Sequence, residues 1–472
     1  CTFDPVFKDT QINCKNQINM KLSIKNNALA IAIMLFSTQV MAQTKSLNLK
    51  DLIQIGLEQN YNIQLSKLDE AIVEKQIVET RGLTLPQVNG TGNITNNYKR
   101  QVLVLPAGLG GGTGEGSRKI EAGTNYSSAL GVEATQALFD VAALQGLKAA
   151  KAGRVYARVN TQQTQEQVVN DIAQQYYQIL SSMEEVKLQH YTIEIMQQLV
   201  QASEGKYNNG LLRKVDVDRL KVNLINAQSK LTQAQNDVDV KTNQLKVTLG
   251  LPYNTSILLD SMKIDETSLQ VALQQQQYNP DASTDLKLLD TQIKLSTLER
   301  NATRAANYPK LNAFANYNYN MASDKFSDLY KGTDPAISYG MGSVGVRLSI
   351  PLFSGFSRSS KVAQNNIKIH QLEKQRQATA ITLEAKNESA RIQMENTLTT
   401  ARAQQENVKL SETVYESNRS NYTLGLSSLT DLLDSQTSFL EAKNIYTKSI
   451  INYKLAELEL MRSNGTILNL IN

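Results

Sequence analysis

Tryptophan is missing from this chain, and eight prolines with 6% aromatic residues across 472 positions leave little material for several ordinary globular cores. Gln, Asn, Leu, Ala and Lys fill the space instead, a composition that suits long helices with polar faces. Cysteine occurs only as Cys1 and Cys14, and histidine only as His190 and His370. Neither histidine has a second His, a Cys or a carboxylate cluster beside it, so no metal site or catalytic base is expected there. An excess of one charge is missing too: 49 basic against 44 acidic residues give +5, too balanced for a nucleic-acid footprint. No nucleophile–base constellation stands out among the hydroxyls and carboxylates, which argues against a hydrolase and against any cofactor-dependent enzyme.

Export is written near the start. From Met20, Lys21 and Lys25 precede the nine apolar residues Ala28–Phe36, and Val40-Met41-Ala42 precedes Gln43. A basic segment, a short apolar run and a small residue at the cut predict a secretory signal peptide over 20–42. A membrane-spanning helix would need roughly 20 apolar residues. Residues 1–19 then read as an upstream extension outside the fold. Both cysteines fall in it, so the mature chain is expected to have neither disulfides nor thiolate chemistry, nor a Cys at the cut to carry a lipid anchor.

What is present is duplication. YNNGLLRKVDVDRLK (207–221) and YTLGLSSLTDLLDSQ (422–436) share a Tyr, a Gly-Leu three residues on and an Asp six after the Gly, at an offset of 215 residues. The match runs without a gap from Lys206 to Gly250 and from Asn421 to Gly465. ATQALFD (134–140) matches LSIPLFS (348–354), and GLTLPQVNGTGNI (82–94) resembles AANYPKLNAFANY (305–317). A unit of some 200 residues is far beyond solenoid periods and reads as one large duplication. The expected division is a first repeat over 43–255, a linker over 256–284 and a second repeat over 285–472.

Periodicity switches twice in each copy. Leu49, Leu52, Ile53 and Leu57 are spaced helically in 47–85, and Pro86 marks a stop. Val88 and Ile94 then suggest a strand. Ser128–Leu138 suggests another, with Leu130, Val132, Ala134 and Leu138 opposite Gly131, Glu133 and Thr135. Copy two repeats this in Leu311–Met321 and Met341–Ile350, where Val344, Val346, Leu348 and Ile350 oppose Gly345, Arg347 and Ser349. Loops of about twenty residues, 101–123 and 322–338, join each pair. The first contains GLGGGTGEGS, which lacks the Lys-Ser/Thr ending of a phosphate loop and does not open a helix. No Pro lies between Pro106 and Pro252 or after Pro351, so very long helices follow each pair, the first predicted from about Ala142 to Ser203. Within them Val217, Leu224, Leu231, Val238 and Leu245 recur every seven residues, as do Leu432, Phe439, Tyr446, Tyr453 and Leu460. A sustained period of that length means a coiled-coil seam.

Four alternating strands cannot close a barrel alone, yet strands of about ten residues with one apolar face fit a membrane barrel, which must close so that no backbone edge meets lipid. Three two-hairpin protomers would supply twelve. The duplicated helix–strand–strand–helix plan, the strand exits at ALFD and PLFS, and the paired segments YNNGLLRKVDV and YTLGLSSLTDLLD resemble the TolC-type outer-membrane efflux protein family over about 47–470. That resemblance implies a mainly α chain with a β-barrel part, trimeric in the outer membrane, with a helical coiled-coil tunnel through the periplasm. It further implies docking to a periplasmic adaptor and an inner-membrane pump, and export of drugs or secreted proteins. A protein-secretion duct is a second reading within the class. An exported coiled-coil scaffold with an ordinary small sheet is the reading from another class.

The repeated segments are then hairpin tips. Gly210 and Gly425 suit the reversal because glycine tolerates positive φ. The resemblance makes Leu211 and Leu426 the adaptor contacts; a plain helix-hairpin turn is the alternative for each. Asp431 and Asp434 share a helix face near the tip, and in a trimer would form a ring of six carboxylates that attracts cations. By resemblance they match the acidic pair of the periplasmic aperture, and Tyr422 matches a tyrosine of the gating network. Ser427 stands where that family commonly has Arg, so a closed-state latch would use other partners here. Asp431 also reads as a partner for the helix dipole after SSLT. In the first copy Asp216 and Arg219 hold the positions equivalent to Asp431 and Asp434.

Overall fold

A computed structural model describes residues 46–106, 118–260, 278–331 and 337–471. The expected leader, the glycine-rich segment 108–117 and most of the linker lie outside the described residues. The duplication is visible in the elements themselves. In the first copy α2 (Tyr61–Gly82, 22 residues) leads into β1 (Gln87–Asn96), and β4 (Tyr126–Phe139) into α3 (Val141–Asn208, 68 residues) and α4 (Lys214–Leu249, 36 residues). In the second, α5 (Thr284–Ala305, 22 residues) leads into β5 (Lys310–Ser323) and β6 (Ile337–Ser349), then α6 (Ser357–Thr423, 67 residues) and α7 (Leu429–Ser463, 35 residues). With no proline to remove a donor or clash with a preceding carbonyl, the long helices run on past Ser203 to about 100 Å.

Several details depart from the sequence reading. Among them are a short helix, Asp328–Lys331, inside the loop 322–338 and a register shift between Ala137 and Phe139 that interrupts the alternation expected through Leu138. The helical stretch over 47–85 is broken, because Asn60 is extended (φ −60°, ψ 127°) and ends α1 (Leu49–Gln59) while starting α2. Its side-chain oxygen accepts from the Asn62 and Ile63 amides, and its NH₂ donates to the Thr248 carbonyl at 2.6 Å. The break turns Leu52 and Ile53, both 0% exposed, into a cluster with Val169, Ile172 and Ile179 of α3 and Leu245 and Leu249 of α4. Each such buried side chain contributes about 1.5–3 kcal/mol. The loop 101–123 is also more than a loop. It carries β2 (Gln101–Leu105) and β3 (Arg118–Ala122), paired antiparallel beyond a bend where the Asn97 amide donates to Asn125 O at 2.7 Å.

The four longer strands form one antiparallel sheet in the order β1-β4-β5-β6. Its register sorts the side chains by face. Gly92, Leu130, Tyr319 and Gly340 lie in one cross-strand row and Gly90, Val132, Tyr317 and Gly342 in the next, on the face that also carries Val344, Val346 and Leu348. The opposite face holds Asn89, Glu133, Asn316 and Ser343 in one row and Thr91, Gly131, Asn318 and Met341 in another. The Ser343 hydroxyl donates to Asn316 Oδ1 at 2.8 Å within that polar face. The apolar face is left exposed, with Val344 83% and Val346 61% accessible.

The seams follow the heptads. Val217, Leu220, Ala227, Ala234 and Leu245 are buried along α4, and Leu432, Phe439, Ala442, Tyr453 and Ala456 along α7. At the end away from the sheet, Ile195, Met196, Leu220, Tyr415, Tyr422, Leu432, Leu433 and Phe439 form a second cluster, in which the Tyr415 and Phe439 rings stack at 5.6 Å.

Gly250, at the end of α4, has φ +76°, and a Cβ there would lie 2.3 Å from the Gln59 carbonyl oxygen; Gly210 has φ +73° with open space around it. Gly210→Ala is expected to cost about 1–2 kcal/mol, the usual penalty for a side chain in the left-handed region. Gly250→Ala must also displace the backbone joining α1 to α2 and is expected to cost more. Thermal loss of helical circular dichroism in detergent checks this: the midpoint should fall further for Gly250→Ala, and equal midpoints would contradict the packing described.

Candidate functional site

Both hairpin tips end in the same backbone motif. After α3 the Leu211 amide donates to Lys206 O at 2.8 Å and Gly210 N to Tyr207 O at 2.9 Å; after α6 the Leu426 amide donates to Asn421 O at 2.8 Å and Gly425 N to Tyr422 O at 3.2 Å. These paired bonds close off the last carbonyls of a helix when the residue after the cap turns left-handed. Gly210 and Gly425 do so, at φ +73° and +79°. The chain then reverses, leaving Leu211 75% and Leu426 76% exposed at the extreme end of each hairpin.

Asp431 and Asp434 occupy the first turns of α7 but have different surroundings. Ser428 caps the helix: its hydroxyl accepts from the Asp431 amide, and Asp431 Oδ2 accepts in return from the Ser428 hydroxyl at 2.7 Å and amide at 3.1 Å. These bonds, the Ser428 hydroxyl foremost, hold the Asp431 carboxyl below the usual carboxylate range. Ser427 Oγ lies 3.5 Å from the same oxygen, so Ser427 also borders the capping carboxylate. Asp434, one turn on, is exposed and takes part in no ion pair among the described residues. The first-copy counterpart of Asp431 is closed off differently: Asp216 is only 7% exposed and accepts from Arg213 Nε at 3.0 Å and Nη2 at 3.3 Å.

Tyr422 lies buried in the tip cluster, its hydroxyl without a hydrogen-bond partner among the described residues. The Lys206 ammonium sits 4.4 Å from its ring centroid. A contact of that kind joins the last turn of α3 to the last turn of α6 and ties one hairpin to the other. The sequence reading named Tyr422 but neither its contact with Lys206 nor the local Arg213–Asp216 pair, three residues apart at the start of α4. Pairing across hairpins has no local sequence signal. The pattern Ser428-x-x-Asp431, by contrast, was a readable capping signature. Among the described residues no group of His, Cys, Asp and Glu is arranged to hold a metal ion.

The sequence profile of the outer membrane efflux protein family matches residues 52–251 and 281–466, covering both repeats. The chain is 20% identical to outer membrane protein TolC of Salmonella enteritidis over 441 residues, covering 92% of this chain and 84% of that protein. It is also 20% identical to TolC of Escherichia coli (strain K12) over 432 residues, 89% of this chain and 82% of the relative. Among solved structures, CusC, described with the conformational changes that accompany folding and transmembrane channel formation, superposes with a TM-score of 0.70 at 16% identity, covering 91% of this chain and 96% of CusC. The open state of the Neisseria gonorrhoeae MtrE outer membrane channel superposes at 0.63 and 17% identity, covering 89% of each chain. With both repeats matched and the sheet, long helices and paired tips in place, this chain belongs to the outer membrane efflux protein family.

Proposed function

We propose that three copies of this chain close a single outer-membrane barrel and continue it as a helical duct, forming the exit of a tripartite efflux system for small toxic compounds. The sheet carries this reading: one apolar face, one polar face, and two edge strands, β1 and β6, each paired on one side only among the described residues. Three sheets of four strands joined edge to edge give twelve strands and remove both free edges of each four-stranded sheet. The apolar face then meets lipid and the polar face lines the lumen. The helices support the same assembly. Val215, Val222, Ile225, Val240 and Val247 of α4 lie off the intramolecular seam, each more than half exposed, where a neighbouring copy would cover them. Residues 1–19 and the leader 20–42 are outside the mature duct.

The tips are the periplasmic entrance. Leu211 and Leu426 present apolar surface to a periplasmic adaptor, which links the duct to an inner-membrane pump that supplies the energy. Asp431 and Asp434 ring the aperture; Asp434 supplies a free negative charge, and Asp431 divides its carboxylate between the ring and the capping of α7. The Lys206–Tyr422 contact ties the two tips while the aperture is closed.

Two measurements test the reading. The chain has no native tryptophan, so Val344→Trp and Ser343→Trp report their own surroundings. In bilayers containing brominated lipid, Val344→Trp fluorescence should be strongly quenched and Ser343→Trp fluorescence nearly untouched; equal quenching would contradict the face assignment. In single-channel recordings Asp434→Asn should lower cation over anion permeability without changing thermal stability. Asp431→Ala should lower both, since it removes the cap. Because the Asp431 carboxyl is held below its ordinary value in the folded chain, its contribution is complete above about pH 4 and is lost as pH falls through the lowered value. Permeability unchanged in both variants would remove these residues from the aperture.

A further inference from the structure

One cation on the polar face of the sheet stands apart from every ion pair. Arg347 is exposed, and no carboxylate lies within ion-pair distance of it among the described residues. Asp140, at the same end of the sheet, is already bound to Lys310 at 2.8 Å and caps α3 through the Ala143 amide at 3.1 Å. Glu133 shares the polar face but pairs at the level of Asn316 and Ser343, four residues along β6 and roughly 13 Å from the Arg347 level.

Arg347 is nevertheless held in place. Its guanidinium carbon lies 5.0 Å from the centroid of the Phe314 ring. That ring is positioned by the residue opposite: Phe314 pairs with Gly345, where a Cβ would lie only 2.8 Å from the Phe314 Cζ. The glycine lets the aromatic ring lie flat across β6, and the ring gives the guanidinium a surface to stack on. Stacking uses the face of a guanidinium and leaves its in-plane N–H donors free, in the fork geometry that matches a planar acid group. Exposure, the lack of an internal anion and a fixed orientation together describe a site whose partner comes from outside the protomer.

We infer that Phe314 and Arg347 form a subsite in the barrel lumen, near its periplasmic end, for the acid group of an organic anion. This rests on the reading that the polar face lines a lumen. Three copies would place three such forks around one narrow passage, where the low dielectric of the surrounding protein and lipid focuses their field. The ligand class is a carboxylate on an apolar body: the fork binds the acid group, and the ring edge of Phe314 adjoins the body. Asn312 and Thr135, cross-strand neighbours of Arg347 and Phe314, add neutral polar groups beside the site.

The test is block of single-channel current by sodium benzoate added at the helical end of the full protein, with benzylammonium chloride as the cationic control. Wild-type current is expected to fall with benzoate concentration, and Arg347→Gln to raise the half-blocking concentration roughly tenfold, the loss that follows from removing a charge-assisted hydrogen-bonding partner. Arg347→Lys, which keeps the charge but loses the fork and the stack, should lie between. Phe314→Leu, which removes the stack and keeps the charge, should weaken the block several-fold, and benzylammonium should not distinguish the variants. Channels that conduct in potassium chloride but are blocked by benzoate equally in wild type and Arg347→Gln, or not blocked at all, would overturn the subsite and leave the duct standing. Failure of the wild type to form channels would overturn both.

Discussion

Backbone N–H and C=O groups along the outer edges of β1 and β6 have no strand partner among the described residues, and a bilayer core offers none. Each group left unpaired in hydrocarbon would cost several kcal/mol. A sheet that exposes Val344, Leu348 and Tyr317 on one face also leaves apolar surface uncovered in water. Pairing β6 of one copy with β1 of the next relieves both problems in one step. The other large features follow from that closure. In the proposed trimer the polar face would turn inward, the strand ends would set a circle of helices, and those helices would continue the wall away from the membrane.

Long helices in such a wall need cohesion along their whole length, which the heptad seams of α4 and α7 supply with small and large apolar residues in alternation. The duplication supplies the seam twice, and the copies then diverge at the ends. One tip seals its acidic residue against Arg213. The other uses its acidic residue to start a helix and leaves Asp434 free. Between the tips, Lys206 contacts the ring of Tyr422 instead of a carboxylate, so this tie does not depend on a titrating acid. The tips themselves are joined by the Lys206–Tyr422 contact and an apolar cluster, apart from the seams above them.

Much of this was legible in the sequence because it rests on local, periodic signals. Strand faces follow from alternation, helix extents from the spacing of proline, and reversals from Gly-Leu pairs at matching offsets. The break at Asn60 was not legible, since its cause is a hydrogen bond to Thr248 across 188 residues. Strands β2 and β3 were hidden because they are short and flank a glycine-rich segment that looks like plain loop. Within the candidate site, glycine and aspartate positions could be read from the repeat. The Lys206 contact with Tyr422 could not, because one sequence does not reveal which side chains meet across helices; Arg213 and Asp216 are only three residues apart, and that local pairing went unread. Phe314 and Arg347 are 33 positions apart and become neighbours only through the β5–β6 register.

The central claim is that the sheet exists only as part of a closed, three-copy barrel. Native mass spectrometry of the mature protein released from detergent micelles tests it most directly. The account predicts a three-copy complex that persists on dilution, with no folded monomer beside it. A monomer that keeps its strand content in lipid would contradict the account.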